Sequence, residues 1–196
     1  MRGALLRPCR SLRRFRQDEA GSYTVETVLM LPILCLTIFT MLTFIDAYRA
    51  KLHALRVTYA VGDMLSRAQF PATHQTIAGL AEVFDQLSIG AHDTAIRVSS
   101  IIWDDSNSEH LLVWSDSARA GSGTAPPTPI TSDTLAQITE ALPTLADGDS
   151  VIFVESWVQY EPPFDIGLAE QTFQHTGVVS PRFIPVLYFD ADSLTG

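Results

Sequence analysis

Glu26 is the residue whose position most needs a chemical explanation. It is a single carboxylate directly before an uncharged apolar run over residues 27–45. A carboxylate at the edge of membrane hydrocarbon is costly unless it is paired or neutralised, so such a group is a functional candidate. A second explanation stays open, in which Glu26 lies in the hydrated interface and stabilises the helix N-terminus through the macrodipole.

The apolar run has 19 residues, which matches the ~20 residues needed to cross the hydrocarbon of a bilayer. A buried helix of a soluble protein rarely reaches this length without a charge. The arginines at positions 7, 10, 13, 14 and 16 outnumber Arg49, Lys51 and Arg56 on the other side. The positive-inside rule therefore predicts a cytoplasmic N-terminus, a single span in the inner membrane and a periplasmic C-terminal domain.

The junction before the run differs from a secretory signal, in which small residues at the cleavage site follow the apolar core. It reads Arg-Phe-Arg-x-Asp-Glu-x-Gly, then Val25-Glu26, with Leu31-Pro32 inside the apolar run. In these residues the chain resembles the type IV prepilins, and among them the TadE-like minor pilins of the tight-adherence (Flp) pilus system. The runs at 148–151, 160–162 and 180–182 also look like the distal part of TadE-like proteins.

This resemblance implies a processing site and a set of partners. The leader of that family is cut directly after the glycine, which here lies between Gly21 and Ser22 and makes Glu26 the fifth mature residue. The free amine of Ser22 would lie one helical turn before Glu26, and the resemblance implies that Glu26 pairs with such an amine of a neighbouring subunit. The implied partners are a prepilin peptidase, other pilins and pseudopilins, the inner-membrane assembly platform and the lipid bilayer.

Charge is distributed unevenly along the chain. The formal net charge is −9, yet six arginines precede Gly21, and only Arg97, Arg119 and Arg182 supply cationic side chains after residue 69. Nucleic-acid binding needs concentrated Lys and Arg, so we expect no nucleic-acid partner for this acidic domain. Its size argues against the major subunit, because the resemblance implies that major pilins are little more than the helix.

The predicted fold class is α+β, with a long N-terminal transmembrane helix that extends into a small periplasmic domain. Tyr48, Leu52, Leu55 and Tyr59 recur at helical spacing, which extends the helix toward Arg67. Pro32 would remove a backbone hydrogen bond and bend this helix. The predicted organisation is a cleaved leader at 1–21, the helix at 22–69 with its span at about 27–45, and the domain at 70–196.

The domain is expected to hold an antiparallel sheet and two short helices. Thr73 is a predicted N-cap of a helix that presents Ile77, Phe84 and Leu87 on one face and ends before Gly90. A hairpin is predicted from strands at 95–103 and 111–115, followed by a loop at 119–129 and a second short helix that Pro143 ends. The strand at 151–160 has apolar residues on both faces and should be central. One or two edge segments are expected within 173–189.

Groups capable of catalysis are scattered. The five histidines have no metal-ligand spacing, and no nucleophile motif is present. We therefore expect no enzyme, no cofactor and no metal. The turn Asp104-Asp105-Ser106-Asn107-Ser108 does match the D-x-S-x-S metal-adhesion pattern of von Willebrand factor A domains, which larger TadG-like proteins resemble. A helix follows that motif in those domains, whereas residues 111–114 have strand composition here.

Two further functions stay open beside the pilin prediction. One is a membrane-anchored periplasmic binding or adhesion module, metal-assisted and TadG-like, that never enters a pilus. The other is an anchored periplasmic enzyme.

Overall fold

The computed structural model describes residues 20–88, 91–121, 126–164 and 166–191 of the chain. Residues 1–19 of the predicted leader at 1–21, Gly90 and the middle of the predicted loop at 119–129 therefore lie outside the described residues. The first element is helix α1, Ala20–Ser66, with 47 residues and a length of about 70 Å. It ends one residue before Arg67, as its apolar periodicity predicts.

Helix α1 has two halves with different surroundings. Side chains from Tyr23 to Leu42 are exposed or half-buried, whereas Ala54, Val57, Val61 and Leu65 are buried. These four recur every three or four residues and so form one face. The second half of α1 is thus the inner wall of the domain core, and the first half projects beyond it.

The domain is built on a four-stranded antiparallel sheet, which confirms the α+β class. Its strands are β1 (Ala91–Asp104), β2 (Glu109–Ala120), β3 (Ser150–Tyr160) and β4 (Gln171–Val179), in the order β2-β1-β3-β4. Strand β3 is internal, as predicted from its two apolar faces, and β4 is an edge strand. The remaining helices are α2 (His74–Leu87) and the single turn α3 (Ser132–Leu135).

The two faces of the sheet are covered by different segments. One face packs against α1 and α2 through residues that include Ile96, Val98, Ile152 and Val154. The opposite face is covered at one end by the segment that contains α3, with Phe153 in the middle of this smaller cluster. Both faces of β3 are therefore buried.

Helix α1 approaches the sheet closely where small residues face each other. A Cβ atom at Gly62 would lie 2.8 Å from Val179 Cγ2, and one at Gly177 would contact Thr58 and Tyr59. The Thr58 hydroxyl and the Ser156 hydroxyl share a buried hydrogen bond of 2.7 Å. These contacts fix the lateral position of α1 over β3 and β4.

The structure corrects three details of the predicted domain. Strand β2 continues to Ala120, so the predicted loop at 119–129 begins later. The second helix is broken into α3 and a 3-10 turn at Thr139–Ala141. Leu87 is 43% exposed rather than on the buried face of α2.

The longer strand β2 is explained by the contacts of its last residues. The Arg119 guanidinium pairs with Asp93 across β1, and Ala120 is buried, so both residues gain by staying in the sheet. At the start of α3 the Thr131 N–H donates to the Thr134 hydroxyl, which in turn donates to the Thr131 carbonyl, and these bonds cap this short helix. At the start of α2 the Thr73 hydroxyl accepts from the Thr76 N–H, which confirms the predicted cap.

Candidate functional site

The projecting half of α1 is the most unusual surface of the chain. An 18-residue window reaches a mean hydropathy of 2.5 with only 6% of it buried, so the helix is long and apolar enough to span a membrane. The hydroxyls of Thr37 and Thr40 each donate to the carbonyl four residues earlier at 2.8 Å. These hydroxyls need no water, as hydrocarbon surroundings require.

The predicted processing and assembly residues lie on this half. The bond between Gly21 and Ser22 is in the first turn of α1, and Glu26 follows one turn later with an exposed side chain. Pro32 lies inside the helix, which continues through it. The structure thus keeps Ser22 and Glu26 one turn apart, while the bend at Pro32 and the cleavage stay predictions.

At the other end of the apolar run, α1 is joined to the domain by a buried tyrosine. Tyr160, at the end of β3, donates its hydroxyl to the Asp46 carboxylate at 2.9 Å. Burial, together with this hydrogen bond and the negative charge of Asp46, raises the pKa of Tyr160 to about 12. The first charged residue after the apolar run is therefore hydrogen-bonded to the sheet.

The segment after β3 extends this contact toward the apolar run. The rings of Phe164 and Phe39 lie 5.1 Å apart between centroids, although the two residues belong to different parts of the chain. Thr43 and Ala47 are buried on the intervening helical turns. Beside them a cavity of about 850 Å³ opens between α1 and the residues at the end of β3.

The three arginines beyond residue 69 are all engaged within the domain. Arg97 Nε donates to Glu155 at 2.6 Å on the outer face of the sheet, and its guanidinium lies over the Trp157 ring. Arg119 pairs with Asp93, and Arg182 pairs with Asp63 of α1. These pairings leave no unpaired arginine after residue 69 in the described part of the chain.

In the acidic turn between β1 and β2, the first carboxylate accepts hydrogen bonds from residues of the same turn. Asp104 accepts hydrogen bonds from the Ser106 N–H at 2.9 Å and from the Asn107 amide at 2.7 Å. The Asn107 bond is the main reason that the pKa of Asp104 lies below its ordinary value. Strand β2 follows at once, not the helix of a metal-adhesion fold. Within the described ranges, no group of three His, Cys, Asp or Glu side chains is arranged to hold a metal ion.

The histidines are equally dispersed in the structure. His74 Nδ1 lies 2.8 Å from Asp116, whereas His110 stacks edge-on against Trp103. His175 is buried in β4, and its burial, aided by the charge of Lys51, lowers its pKa. Each imidazole thus has a local environment of its own.

The sequence prediction missed two carboxylates: Asp46, which joins α1 to β3, and Glu155, which joins β3 to β1. Asp46 carried a usable signal, because it is the first charge after the apolar run. Glu155 carried another, since it is the only carboxylate in the apolar strand β3. Their partners, Tyr160 and Arg97, are distant in sequence and follow only from strand pairing.

Comparison of the chain with protein-family models, with curated proteins and with solved structures finds no match. Function is therefore inferred from the residues and the geometry of this chain.

Proposed function

We propose that this protein is a non-catalytic, single-pass minor pilin or pseudopilin of the TadE-like kind. In this proposal it helps to assemble or prime a tight-adherence pilus for surface attachment. Prepilin peptidase cleaves it between Gly21 and Ser22. The N-terminal helix crosses the inner membrane, and the domain faces the periplasm, where it selects partner subunits.

The observation that supports this proposal most is the division of α1 into two halves. Its second half is the wall of a folded core, while the apolar first half has almost no cover within the described chain. Apolar surface of this extent needs lipid or neighbouring helices around it. A helix that projects from its domain in this way is suited to lateral packing with the helices of other subunits.

Glu26 supplies the charge in this mechanism. It lies exposed near the start of the apolar segment, where an unpaired carboxylate is costly. Cleavage after Gly21 would create an ammonium at Ser22, and the amine of an adjacent subunit would neutralise Glu26 as helices pack. Charge matching would then select the correct axial register between neighbours.

The test is the mass of the protein extracted from membranes of a host with a working prepilin peptidase. We expect a mature chain that starts at Ser22, and the full chain in a host that lacks the peptidase. Gly21→Leu should block maturation, whereas the same substitution at Gly3 should not. A full-length chain as the sole species in the competent host would contradict the proposal and favour an anchored module outside any pilus.

A further inference from the structure

The segment that connects β3 to β4 contains an apolar run that contacts the apolar half of α1. Its larger apolar residues are Pro162, Pro163, Phe164, Ile166 and Leu168. The rings of Phe164 and Phe39 lie 5.1 Å apart between centroids, yet each of the two residues remains 41% exposed. The contact therefore leaves apolar surface on both rings without cover in the described chain. The pilin proposal assigns no role to this segment.

The position of Phe39 along α1 gives the depth of this contact. With a rise of 1.5 Å per residue, Phe39 lies ~9 Å on the N-terminal side of Ile45, the last residue of the apolar run. Helical side chains lean toward the N-terminus, so the Phe39 ring lies at least this far from Ile45. One leaflet contributes about 15 Å of hydrocarbon. A membrane around residues 27–45 would therefore reach the Phe164 ring as well.

The residues after the apolar run indicate that the membrane surface lies just beyond Ile45. Tyr48, Arg49 and Lys51 are all exposed and lie ~5–9 Å beyond Ile45 along the helix. Tyrosine, arginine and lysine are the side chains that anchor the ends of spans in the interface. Strand β3 ends at the same level, because Tyr160 is hydrogen-bonded to Asp46. The segment after β3 then continues from the interface toward the hydrocarbon.

The backbone of this segment suits an apolar environment. Backbone N–H groups without a partner are costly in hydrocarbon. Pro162 and Pro163 have no N–H, and the Ile166 N–H donates to the Phe164 carbonyl at 2.9 Å. The next residue after Phe164 in the sequence is Asp165, and a carboxylate is costly at the bilayer centre. These residues favour a shallow insertion, within one leaflet.

We propose that the segment after β3 inserts the Phe164 side chain among the acyl chains of the leaflet on the domain side, next to Phe39 of the same chain. The domain then contacts the membrane at two places, α1 and this segment. A lone span leaves its tilt open to the surroundings, whereas a second contact on one side of α1 favours a tilt toward that side. This inference rests on the membrane crossing in the proposed function, not on incorporation in a pilus.

The experiment is photo-crosslinking from benzoylphenylalanine, placed at one position at a time in the full chain. Each variant is reconstituted at high lipid excess in phosphatidylcholine vesicles, irradiated and analysed for lipid adducts by mass spectrometry. The test position is Phe164. Leu34, which is 60% exposed in the apolar half of α1, is the positive control for membrane crossing. Unchanged thermal unfolding by circular dichroism identifies folded variants.

Phe183 is the matched negative control. It is 62% exposed and follows Arg182, whose N–H donates to Ser66 at the end of α1, about 30 Å beyond Ile45. We expect lipid adducts from Phe164 at a yield similar to that from Leu34 and at least about tenfold above that from Phe183, because acyl chains reach only the first two positions. The exposed Pro163 is a second test position if the Phe164 variant does not fold.

Three outcomes would overturn the inference. Adducts from Leu34 without adducts from the folded test variants would reject the inserted segment and leave the membrane crossing intact. The absence of adducts from both Leu34 and the test positions would remove the membrane crossing as well. Cross-links from Phe164 to a second protein chain instead of lipid would identify a contact between subunits. Adduct formation does not depend on leader cleavage, so the result is independent of the test at Gly21.

Discussion

Glu26 and Asp46 lie near opposite ends of the apolar segment and differ in their surroundings. Asp46 accepts a hydrogen bond from Tyr160 within the same chain. Glu26 is exposed and, in the proposed function, obtains its partner from a processed neighbour. In the proposed function, the acid at the domain end therefore stabilises the fold, whereas the acid at the N-terminal end serves assembly.

Substitution of Glu26 tests this division at the level of one residue. Glu26→Ala should leave cleavage after Gly21 largely intact but weaken helix packing, because the mature amine loses its carboxylate partner. Immunoblots should show the mature mass, while electron microscopy should show few pili. Glu109→Ala, an exposed carboxylate in the hairpin, is the matched control. Normal piliation of the Glu26 variant would remove its assigned role.

Tyr160 predicts a pH dependence of stability. Its folded pKa of about 12 exceeds the ordinary value of 10.0, so the unfolded chain loses this proton first as pH rises. Its contribution to stability is complete below pH 10 and is lost as pH rises toward 12. Ultraviolet titration should show one late-ionising tyrosine that Tyr160→Phe removes. Titration of all tyrosines near pH 10 in the folded protein would contradict this.

The ion pair between Arg97 and Glu155 predicts a large loss of stability when the Arg97 side chain is truncated. Glu155 is 2% exposed, and removal of one partner from a buried pair costs about 3–5 kcal/mol. Arg97→Ala should therefore lower the free energy of unfolding by this amount in denaturant titrations. Arg67→Ala removes an exposed pair and should cost at most about 1 kcal/mol. Equal effects of the two variants would mean that Glu155 gains water when Arg97 is lost.

At the scale of elements, the contact of α1 with β4 depends on the absence of a side chain at Gly62. Gly62→Ala places a Cβ 2.8 Å from Val179 Cγ2, and overpacking of this kind costs about 1–3 kcal/mol. Gly79 lies in α2 with nothing within 4 Å of its Cβ position, so Gly79→Ala should stabilise by about 1 kcal/mol through helix propensity. Chemical unfolding should show a lower free energy of unfolding for Gly62→Ala and a higher one for Gly79→Ala. A stabilising Gly62→Ala would show that Val179 moves aside freely.

Elements with strong periodicity followed from the sequence, and those set by distant partners did not. The stripe of Tyr48, Leu52 and Leu55 predicted the extension of α1, and the two apolar faces of β3 predicted its internal position. Nothing local to Arg119 indicates that it stays in β2, because the cause is Asp93 on another strand. The cavity could not be predicted from the sequence either, since its walls come from segments over 100 residues apart.

At the scale of the whole molecule, the main core cluster contains no residue of the apolar segment. The buried residues of α1 begin at Thr43, and the main cluster begins at Ala54. A chain of residues 46–196 should therefore fold without detergent and unfold in one cooperative urea transition, followed by circular dichroism. The matched shorter chain of residues 70–196 lacks the α1 wall and should not fold. Aggregation of the 46–196 chain would mean that the apolar half supports the core.

The continuous backbone of α1 also governs how motion passes between the two halves. The helix runs from Ala20 to Ser66 without an intervening loop. In its second half the Thr58 hydroxyl is hydrogen-bonded to Ser156 of β3, and the Ser66 carbonyl accepts from the Arg182 N–H in the segment after β4. A change in the tilt of the first half of α1 is therefore transmitted to the second half through the rigid helix. A 10° change in tilt at Ala47 would displace Ser66 sideways by about 5 Å over the intervening ~30 Å. Traction applied to the domain would load the backbone hydrogen bonds of α1 instead of extending a flexible linker.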